Sequence, residues 1–248
     1  MDGKNNKYHF LRGKIISGRV YPEFFALNRG DRVINIGCGE GPQAVVYAGK
    51  FREMIGIDIN RQRIEKSREA MWLFKMRDYT TVIANVEQMP FRNGAFDKAI
   101  AVDIAEHVQS PQQLCQQAHR ILKENGEILI TFPTMHDKYT GLVTTLVRVI
   151  KRSKRDNVKS SVWNPDAHNQ SYSVGYWIKI VEEAGFELTR ARASTMFPPL
   201  HLYGIPRFWF ASDFIHRIDS WFCRQPLLRN YGQALVCVFR KKDLPRTG

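Results

Sequence analysis

The sequence predicts an α/β fold, in which a mostly parallel sheet of seven strands carries helices on both faces. The first observation is that short apolar runs alternate with segments of helical periodicity from about residue 8 to residue 132. This order is typical of parallel strands joined by crossover helices. The second observation is a glycine-rich turn directly after the first strand, a place where such sheets bind ligands.

Each predicted element has a start or stop signal in the sequence. An N-terminal helix ends at a polar turn that contains Gly30, and a second helix begins near Pro42, because a first helical turn tolerates proline. Asn125 and Gly126 are expected to end the helix that precedes strand five. The predicted strands are 32–36, 53–58, 80–84, 97–102, 127–132, 187–194 and 233–239, and the predicted helices are 8–27, 42 onward, 61–76, 111–122 and 173–184.

Two segments interrupt the alternation and are predicted to be insertions that cover a substrate. They follow strands five and six, over about 134–172 and 196–231. Ligands of open α/β sheets bind beyond the carboxyl ends of the parallel strands, so both insertions are expected on the ligand side. We therefore expect one Rossmann-like domain over residues 1–248, with a core of about 30–133 and 173–240.

The composition is that of an ordinary globular protein, with 44% hydrophobic and 25% charged residues. The four cysteines form no Cys-x-x-Cys pair, and no His/Cys/Asp/Glu cluster has metal-ligand spacing, which argues against a disulfide framework and a metal site. The polar N-terminus has no apolar core of a signal peptide, and no apolar run reaches the ~18 residues that a spanning helix needs. The sequence thus predicts a cytoplasmic protein.

The formal net charge of +13 is the main anomaly of the composition. A surplus of this size favours an anionic partner, either nucleic acid or an acidic membrane surface. A third interpretation is that the lysines and arginines serve solubility alone.

The glycine-rich turn is the most informative motif. Residues 33–41 have the sequence VINIGCGEG, a buried strand that enters a turn where the backbone can approach a ligand closely. The second strand ends at Asp58, and an acid about 20 residues after such a turn suits the two hydroxyls of a ribose. The pair predicts a nucleoside cofactor.

Four segments, in this order, resemble the class I S-adenosylmethionine-dependent methyltransferases, of the subgroup that includes the ubiquinone and menaquinone methyltransferases. They are VINIGCGEG at 33–41, MIGIDIN at 54–60, ANVEQMPFRNGAFDKAIAVDIAEHV at 84–108 and ILKENGEILITFP at 121–133, with a fainter fifth segment at 168–186. The resemblance covers about residues 30–190. It implies S-adenosylmethionine as the cofactor and S-adenosylhomocysteine as the product.

The resemblance also implies the roles of individual residues. Gly37, Cys38 and Gly39 would approach the methionine and ribose portions of the cofactor through their backbone. Asp58 would accept hydrogen bonds from the ribose hydroxyls, and Asp103 would lie near the methionine portion at the end of strand four.

The adenine end involves a second group of residues. Ile59 would pack on the adenine, while Asn85 and Val86 would lie at its edge, where the family usually has an acid. The family also usually has an acid at the position of Asn35. Asn85 is a mild change, because its carbonyl can still accept from the adenine amine. The change at Asn35 removes a charge near a cationic ligand and should weaken binding somewhat.

The predicted chemistry requires placement more than covalent catalysis. The sulfonium methyl is already electrophilic, so in-line placement of the acceptor supplies much of the rate. A general base helps if the acceptor is a hydroxyl or an acidic carbon, and the candidates are His107 and His168, with Tyr172 as an orienting residue. The alternatives are that His107 caps local structure and that His168 is polar surface.

The two insertions carry the signals for the acceptor. In the first, Arg148, Lys151, Arg152 and Arg155 form a basic stripe beside an apolar one, which fits a membrane interface, nucleic acid phosphates or a solvated helix face. The second is rich in aromatics over 208–222, which fits a hydrophobic lid or an interfacial segment.

The sequence therefore predicts methyl transfer to an oxygen or carbon of an apolar, lipid-linked or membrane-associated small molecule. Two alternatives remain open: an RNA methyltransferase that uses the basic surface, and a cofactor-binding or scaffold protein that has lost activity, which Asn35 and Asn85 would favour. The partners expected are a small or lipid-linked acceptor and an anionic membrane surface, with nucleic acid as the second choice. The predicted location is the cytoplasm, with peripheral attachment to a membrane as an extension of that prediction.

Overall fold

A computed structural model of the chain shows a seven-stranded sheet. The structure describes residues 22, 24–134, 172–196, 213–228, 230–232 and 234–242. The strands are β1 (Arg32–Ile36), β2 (Glu53–Asp58), β3 (Tyr79–Ile83), β4 (Phe96–Ala101), β5 (Leu122–Pro133), β6 (Phe186–Ala193) and β7 (Ala234–Lys241). The helices are α1 (Pro42–Val46), α2 (Arg61–Leu73), α3 (Pro111–Ile121), α4 (Val174–Glu183) and α5 (Asp213–Cys223), with a short 3-10 helix at Pro226–Leu228.

The strand order is β3-β2-β1-β4-β5-β7-β6. Strands β1 to β5 pair in parallel, whereas β7 runs antiparallel to both β5 and β6. The chain first builds the sheet from β1 towards β3 and then restarts on the other side of β1 with β4. The carboxyl ends of β1 and β4 therefore form the switch point of the sheet, where open α/β sheets bind ligands. The predicted fold class is confirmed.

The central strands are mostly apolar, because helices cover both faces of the sheet. In β1, Ile34 and Ile36 face the cluster that contains the buried sides of α3 and α4. Val33 faces the opposite cluster, which contains α1 residues and Phe25. Asn35 alternates with Ile34 and Ile36 and so lies on the same face as Val33.

Most predicted element boundaries lie within two or three residues of the observed ones, but two expectations were wrong. Residues 24–27 do not form the end of a helix; there Phe25 and Leu27 are buried in the core, and the rest of the predicted helix over 8–27 lies outside the described residues. Helix α1 begins at Pro42, as predicted, and has five residues. Asn125 and Gly126 do not separate α3 from β5, because α3 ends at Ile121 and β5 begins at the next residue.

The second insertion begins with a segment fixed at the carboxyl edge of the sheet. Asp219 of α5 accepts a hydrogen bond from the backbone N–H of Met196, three residues beyond β6, at 2.7 Å. The backbone N–H of Ser194 donates to the carbonyl of Ala234 at the start of β7, which pairs with Pro133 at the end of β5. Helix α5 thus lies at the edge where a cover is predicted. The basic stripe of the first insertion lies outside the described residues.

None of the helices in the described ranges is long and apolar enough to cross a bilayer.

Candidate functional site

The glycine turn is fixed to β2 by its backbone. The N–H of Cys38 donates to the carbonyl of Ile57 at 2.9 Å, and the N–H of Gly41 donates to the carbonyl of Cys38 at 2.9 Å. Gly37 and Gly39 have φ values of 66° and 52°, which favour glycine. A Cβ at Gly37 would lie 2.7 Å from Ile104, whereas the space at Gly39 is open. The turn is therefore rigid on the protein side and open where a ligand would lie.

Asp58 connects this turn to the end of β2. The buried carboxylate accepts a hydrogen bond from the N–H of Gly39 at 3.0 Å through Oδ2 and from the N–H of Asn60 at 2.8 Å through Oδ1. Each carboxylate oxygen has a second acceptor position. The geometry leaves one acceptor position on each oxygen for two neighbouring hydroxyls, which is what a ribose presents.

The Cys38 side chain belongs to the core beneath the turn. Burial raises the pKa of this thiol to about 12, and the charge of Asp58 contributes in the same direction although the Tyr79 hydroxyl opposes it. The Tyr79 hydroxyl lies 3.4 Å from the Ser67 hydroxyl. A Cβ at Gly56 would lie within 2.1 Å of that Tyr79 oxygen, so Gly56 leaves the room for Tyr79. Cys38 thus offers a ligand its backbone and not its sulfur.

Asp103 lies just beyond β4 in a constrained conformation. Its φ is 52°, a left-handed value that is uncommon outside glycine. Thr131 of β5 holds it there: the threonine hydroxyl accepts from the Asp103 N–H at 2.8 Å and donates to Asp103 Oδ1 at 3.2 Å. Backbone strain of this kind clusters at functional sites. Thr131 was not among the predicted site residues, and its only signal in the sequence is that it is a polar residue near the end of an apolar strand.

The residues predicted to contact the adenine lie at the ends of β2 and β3. Ile59 directly follows Asp58 and is 70% exposed, which leaves an apolar side chain available for contact. Val86 is buried. The Asn85 carbonyl oxygen already accepts from the N–H of Glu87 at 2.9 Å, so one of its two acceptor positions is in use.

The predicted catalytic residues lie on the other side of the switch point. His107 is exposed in the turn after β4, and its Nε2 lies 3.9 Å from Glu106 Oε1. Tyr172 precedes α4, where its ring lies against Tyr176 and against Trp177, at centroid distances of 4.7 and 5.0 Å. Trp177 in turn stacks on Phe132 near the carboxyl end of β5. His168 lies outside the described residues.

These positions form a row across four neighbouring strands. From β3 to β4 it contains the adenine-edge residues, Asp58, the glycine turn and Asp103. Strands lie about 4.8 Å apart, so the row is about 15 Å long, enough for a nucleoside that carries an amino acid. Within the described part of the chain, no group of three His, Cys, Asp or Glu residues could hold a metal ion.

The residues of this row fit S-adenosylmethionine. Gly39 leaves open space, Asp58 has acceptor positions for a ribose, and the side-chain nitrogen of Asn35 is buried without a hydrogen-bond partner. A buried polar atom of that kind is costly unless a ligand or water satisfies it. Gly39, Asp58 and Asn35 all lie at the switch point or on the strands beside it.

The comparison with protein families agrees with this geometry. Residues 9–191, well over half of the chain, match the model of a methyltransferase domain. The chain therefore belongs to the methyltransferase-domain family, the class I S-adenosylmethionine-dependent methyltransferases. S-Adenosylmethionine is the cofactor that this family and fold imply, and the resemblance found in the sequence is confirmed.

Individual relatives resemble parts of the chain. The ubiquinone biosynthesis O-methyltransferase of Pseudomonas aeruginosa is 28% identical over 41% of this chain and 44% of its own length. The tRNA (carboxymethyluridine(34)-5-O)-methyltransferase alkbh8 of Xenopus tropicalis is 27% identical over 53% of this chain and 21% of its own length. A SAM-dependent methyltransferase of Thermotoga maritima superposes with a TM-score of 0.60 at 16% identity and covers 96% of this chain and 95% of its own. The chain matches about two fifths of the length of other curated relatives.

Proposed function

We propose that this chain transfers the methyl group of S-adenosylmethionine to an oxygen or carbon of an apolar, lipid-linked or membrane-associated small molecule. The observation that carries the acceptor class is a set of exposed apolar side chains in the insertion between β6 and β7, at the carboxyl edge of the sheet. We call it the edge patch, and it consists of Trp221, Phe222, Leu227 and Tyr231. Trp221 is 59% exposed and Leu227 is 89% exposed, and an exposed apolar patch usually marks a binding surface.

The position of the edge patch supports an apolar acceptor. It belongs to the insertion between β6 and β7, which Asp219 ties to the end of β6. Asp58 is the last residue of β2, and Gly39 and Asp103 lie just beyond the carboxyl ends of β1 and β4, at the same edge of the sheet. An acceptor whose apolar part lies on the edge patch would therefore have its reactive end on the cofactor side.

The chain's own residues have distinct tasks in the proposed reaction. When bound, the cofactor supplies an electrophilic methyl group on a sulfonium. Asp58 and the glycine turn hold its ribose and methionine portions. Asp103 lies near the methionine portion, at the switch point. His107 is the described candidate for the base that takes a proton from the acceptor, and Tyr172 is the candidate for orienting it.

The test is methyl transfer from labelled S-adenosylmethionine to two acceptor pools in parallel, one a quinone-containing and phenolic lipid extract and the other total RNA. We expect the label in the organic phase. Label in the RNA would support the second candidate, an RNA methyltransferase, which the net charge of +13 and the resemblance to a tRNA methyltransferase favour. If the protein does not bind S-adenosylhomocysteine in calorimetry, both candidates fail and a non-catalytic scaffold remains.

A further inference from the structure

Asn35 is a buried amide in the centre of the sheet. Its residue is 1% exposed, and its Nδ2 atom has no hydrogen-bond partner. In the sheet it lies between Gly56 of β2 and Ile100 of β4. Ile100 and Val33, which share its face, belong to an apolar cluster. A donor in such surroundings is costly unless something outside the described contacts accepts from it.

The place of Asn35 limits what that acceptor can be. Asn35 is the second residue before Gly37, about 7 Å along the strand, so its side chain lies close beneath the glycine turn. Asp58, one strand away on β2, has acceptor positions that suit the ribose. The ligand portion nearest β1 and β4 is then the amino-acid end, which has one carboxylate and one ammonium group. Only the carboxylate can accept from an amide N–H.

The charges around the turn also favour the ligand's carboxylate as the group that accepts from Asn35. Asp58 and Asp103 already place two carboxylates on either side of β1. A third acid at position 35 would repel the ligand's carboxylate, whereas an amide can donate to it. The ammonium group retains Asp103 as an acidic neighbour. Asn35 is in this view a matched donor and not a weakened form of the family's acid.

We infer that Asn35 forms a carboxylate subsite, in which its Nδ2 donates to the carboxylate of the cofactor's methionine portion. The subsite distinguishes S-adenosyl compounds that have the amino-acid carboxylate from those that have lost it. This inference rests on the proposed function, because it requires that the chain binds S-adenosyl compounds.

The test is a thermodynamic cycle that changes one residue of the protein and one group of the ligand, separately and together. S-Adenosylhomocysteine and its decarboxylated analogue, S-adenosyl-3-thiopropylamine, are titrated calorimetrically into the wild-type protein and into Asn35→Leu. We expect Asn35→Leu to lose about tenfold in affinity for S-adenosylhomocysteine, the loss typical of one charge-assisted hydrogen bond, and to bind the decarboxylated analogue unchanged. Leucine has the same branched shape and the same number of heavy atoms and removes an unpaired polar group, so we expect Tm to change little.

A second variant keeps the test decisive if Asn35→Leu does not fold. Asn35→Asp is expected to bind S-adenosylhomocysteine more weakly than the wild type and to bind the decarboxylated analogue with less loss, because the new charge repels a carboxylate. Asp58→Ala is the matched control, because a lost ribose contact should weaken both ligands equally.

Three results would overturn the inference while leaving the proposed function intact. The first is an equal loss for both ligands in Asn35→Leu. The second is tighter binding of S-adenosylhomocysteine by Asn35→Asp, which would make position 35 a partner of the ammonium group. The third is an Asn35→Leu variant that loses affinity for S-adenosylhomocysteine but not for its deaminated analogue, which would couple Asn35 to the ammonium group. If the wild-type protein binds neither ligand, the proposed function itself fails and the inference falls with it.

Discussion

At the scale of single residues, Asp58 has two tasks. It accepts a hydrogen bond from the Gly39 N–H of the glycine turn and, in the proposed function, would offer its remaining acceptor positions to the ribose. We expect Asp58→Ala to weaken binding of S-adenosylhomocysteine by about tenfold or more, since both tasks are lost. Calorimetric titration measures this, with Glu69→Ala on the exposed side of α2 as the control. Unchanged affinity in Asp58→Ala would disprove the ribose assignment.

Gly39 and Gly41 allow a matched comparison within one turn. Both have positive φ, at 52° and 80°, so alanine is strained at either position, by about 1–2 kcal/mol. A Cβ at Gly39 would enter open space, whereas one at Gly41 would lie 2.6 Å from the buried Ser67 hydroxyl oxygen. Gly39→Ala should therefore lose mainly cofactor affinity, and Gly41→Ala should lose mainly stability.

Thermal unfolding and titration of both glycine variants separate the two effects. We expect the lower Tm for Gly41→Ala and the larger loss of S-adenosylhomocysteine affinity for Gly39→Ala. The opposite ranking would show that the open space at Gly39 is not where the cofactor lies.

Buried thiols make stability depend on pH at the alkaline end. Burial raises the pKa of Cys115 from 9.0 to about 12. In the unfolded chain the thiol ionises from its ordinary pKa upward while the folded one keeps its proton, so the free energy of unfolding falls as pH rises above 9. The fall reaches about 1.4 kcal/mol per pH unit for one thiol. Urea unfolding between about pH 8 and about pH 10 should show a shallower fall in Cys115→Ala; an equal slope would contradict the prediction.

The sequence predicted site residues where the signal is local. The glycine turn and Asp58 belong to short motifs whose geometry the motif itself sets, and the structure joins them by a direct hydrogen bond. Thr131 stands out as a polar residue in an apolar strand, but neither its role nor that of Tyr79 could be predicted. Both roles depend on contacts with Asp103 and Gly56, which lie 28 and 23 residues away along the chain. Such contacts arise only when neighbouring strands are in register.

At the scale of elements, the strands were predictable because apolar runs mark buried strands on both sides of the switch point. The start of β5 was not. Asn125 and Gly126 resemble a helix stop, and Asn125 does have a φ of 59°. A Cβ at Gly126 would lie only 2.8 Å from the Lys123 carbonyl oxygen, so the chain turns tightly at this glycine, and it does so within β5. The pairing of β4 with β5 shifts register between Phe96 and Lys98.

The outer edge of β3 has its own protection. The carbonyl of Asp78 and the N–H of Ala84 both form hydrogen bonds with β2. Backbone groups of successive residues point to alternate sides of a strand, so Thr81, which is three residues from each, directs its carbonyl away from β2. Arg68 of α2 donates to that carbonyl at 3.3 Å and to the Thr81 hydroxyl at 2.9 Å. A covered edge carbonyl is one way in which proteins restrain edge strands.

We expect Arg68→Ala to loosen β3 without unfolding the sheet. Hydrogen exchange at the β2-facing amides of Thr80 and Val82 should become several-fold faster, which corresponds to about 1 kcal/mol of lost local stability. Arg63→Ala, at another exposed arginine of the same helix, is the control. If both variants exchange at the wild-type rate, Arg68 does not restrain the edge.

At the scale of the whole molecule, two exposed tryptophans lie at opposite edges of the sheet. Trp72, 83% exposed, is near the end of α2, which runs back from the carboxyl end of β2 towards the start of β3. Trp221 of the edge patch is at the carboxyl edge, with Arg217 and Arg224 on the same helix or directly after it. A membrane that presents an acceptor to the cofactor side should contact Trp221 and not Trp72.

This difference makes the proposed membrane contact testable with one protein. In co-sedimentation with vesicles of phosphatidylcholine and phosphatidylserine, we expect Trp221→Ala combined with Leu227→Ser to lower the bound fraction about tenfold, because burying two such side chains contributes about 1.5–3 kcal/mol each before the cost of partial insertion. Trp72→Ala removes the more exposed ring and should leave binding unchanged. Added salt should also weaken binding, since the net charge of +13 attracts anionic lipid. Equal losses in the two variants, or binding that ignores phosphatidylserine, would mean that the edge patch does not face a membrane.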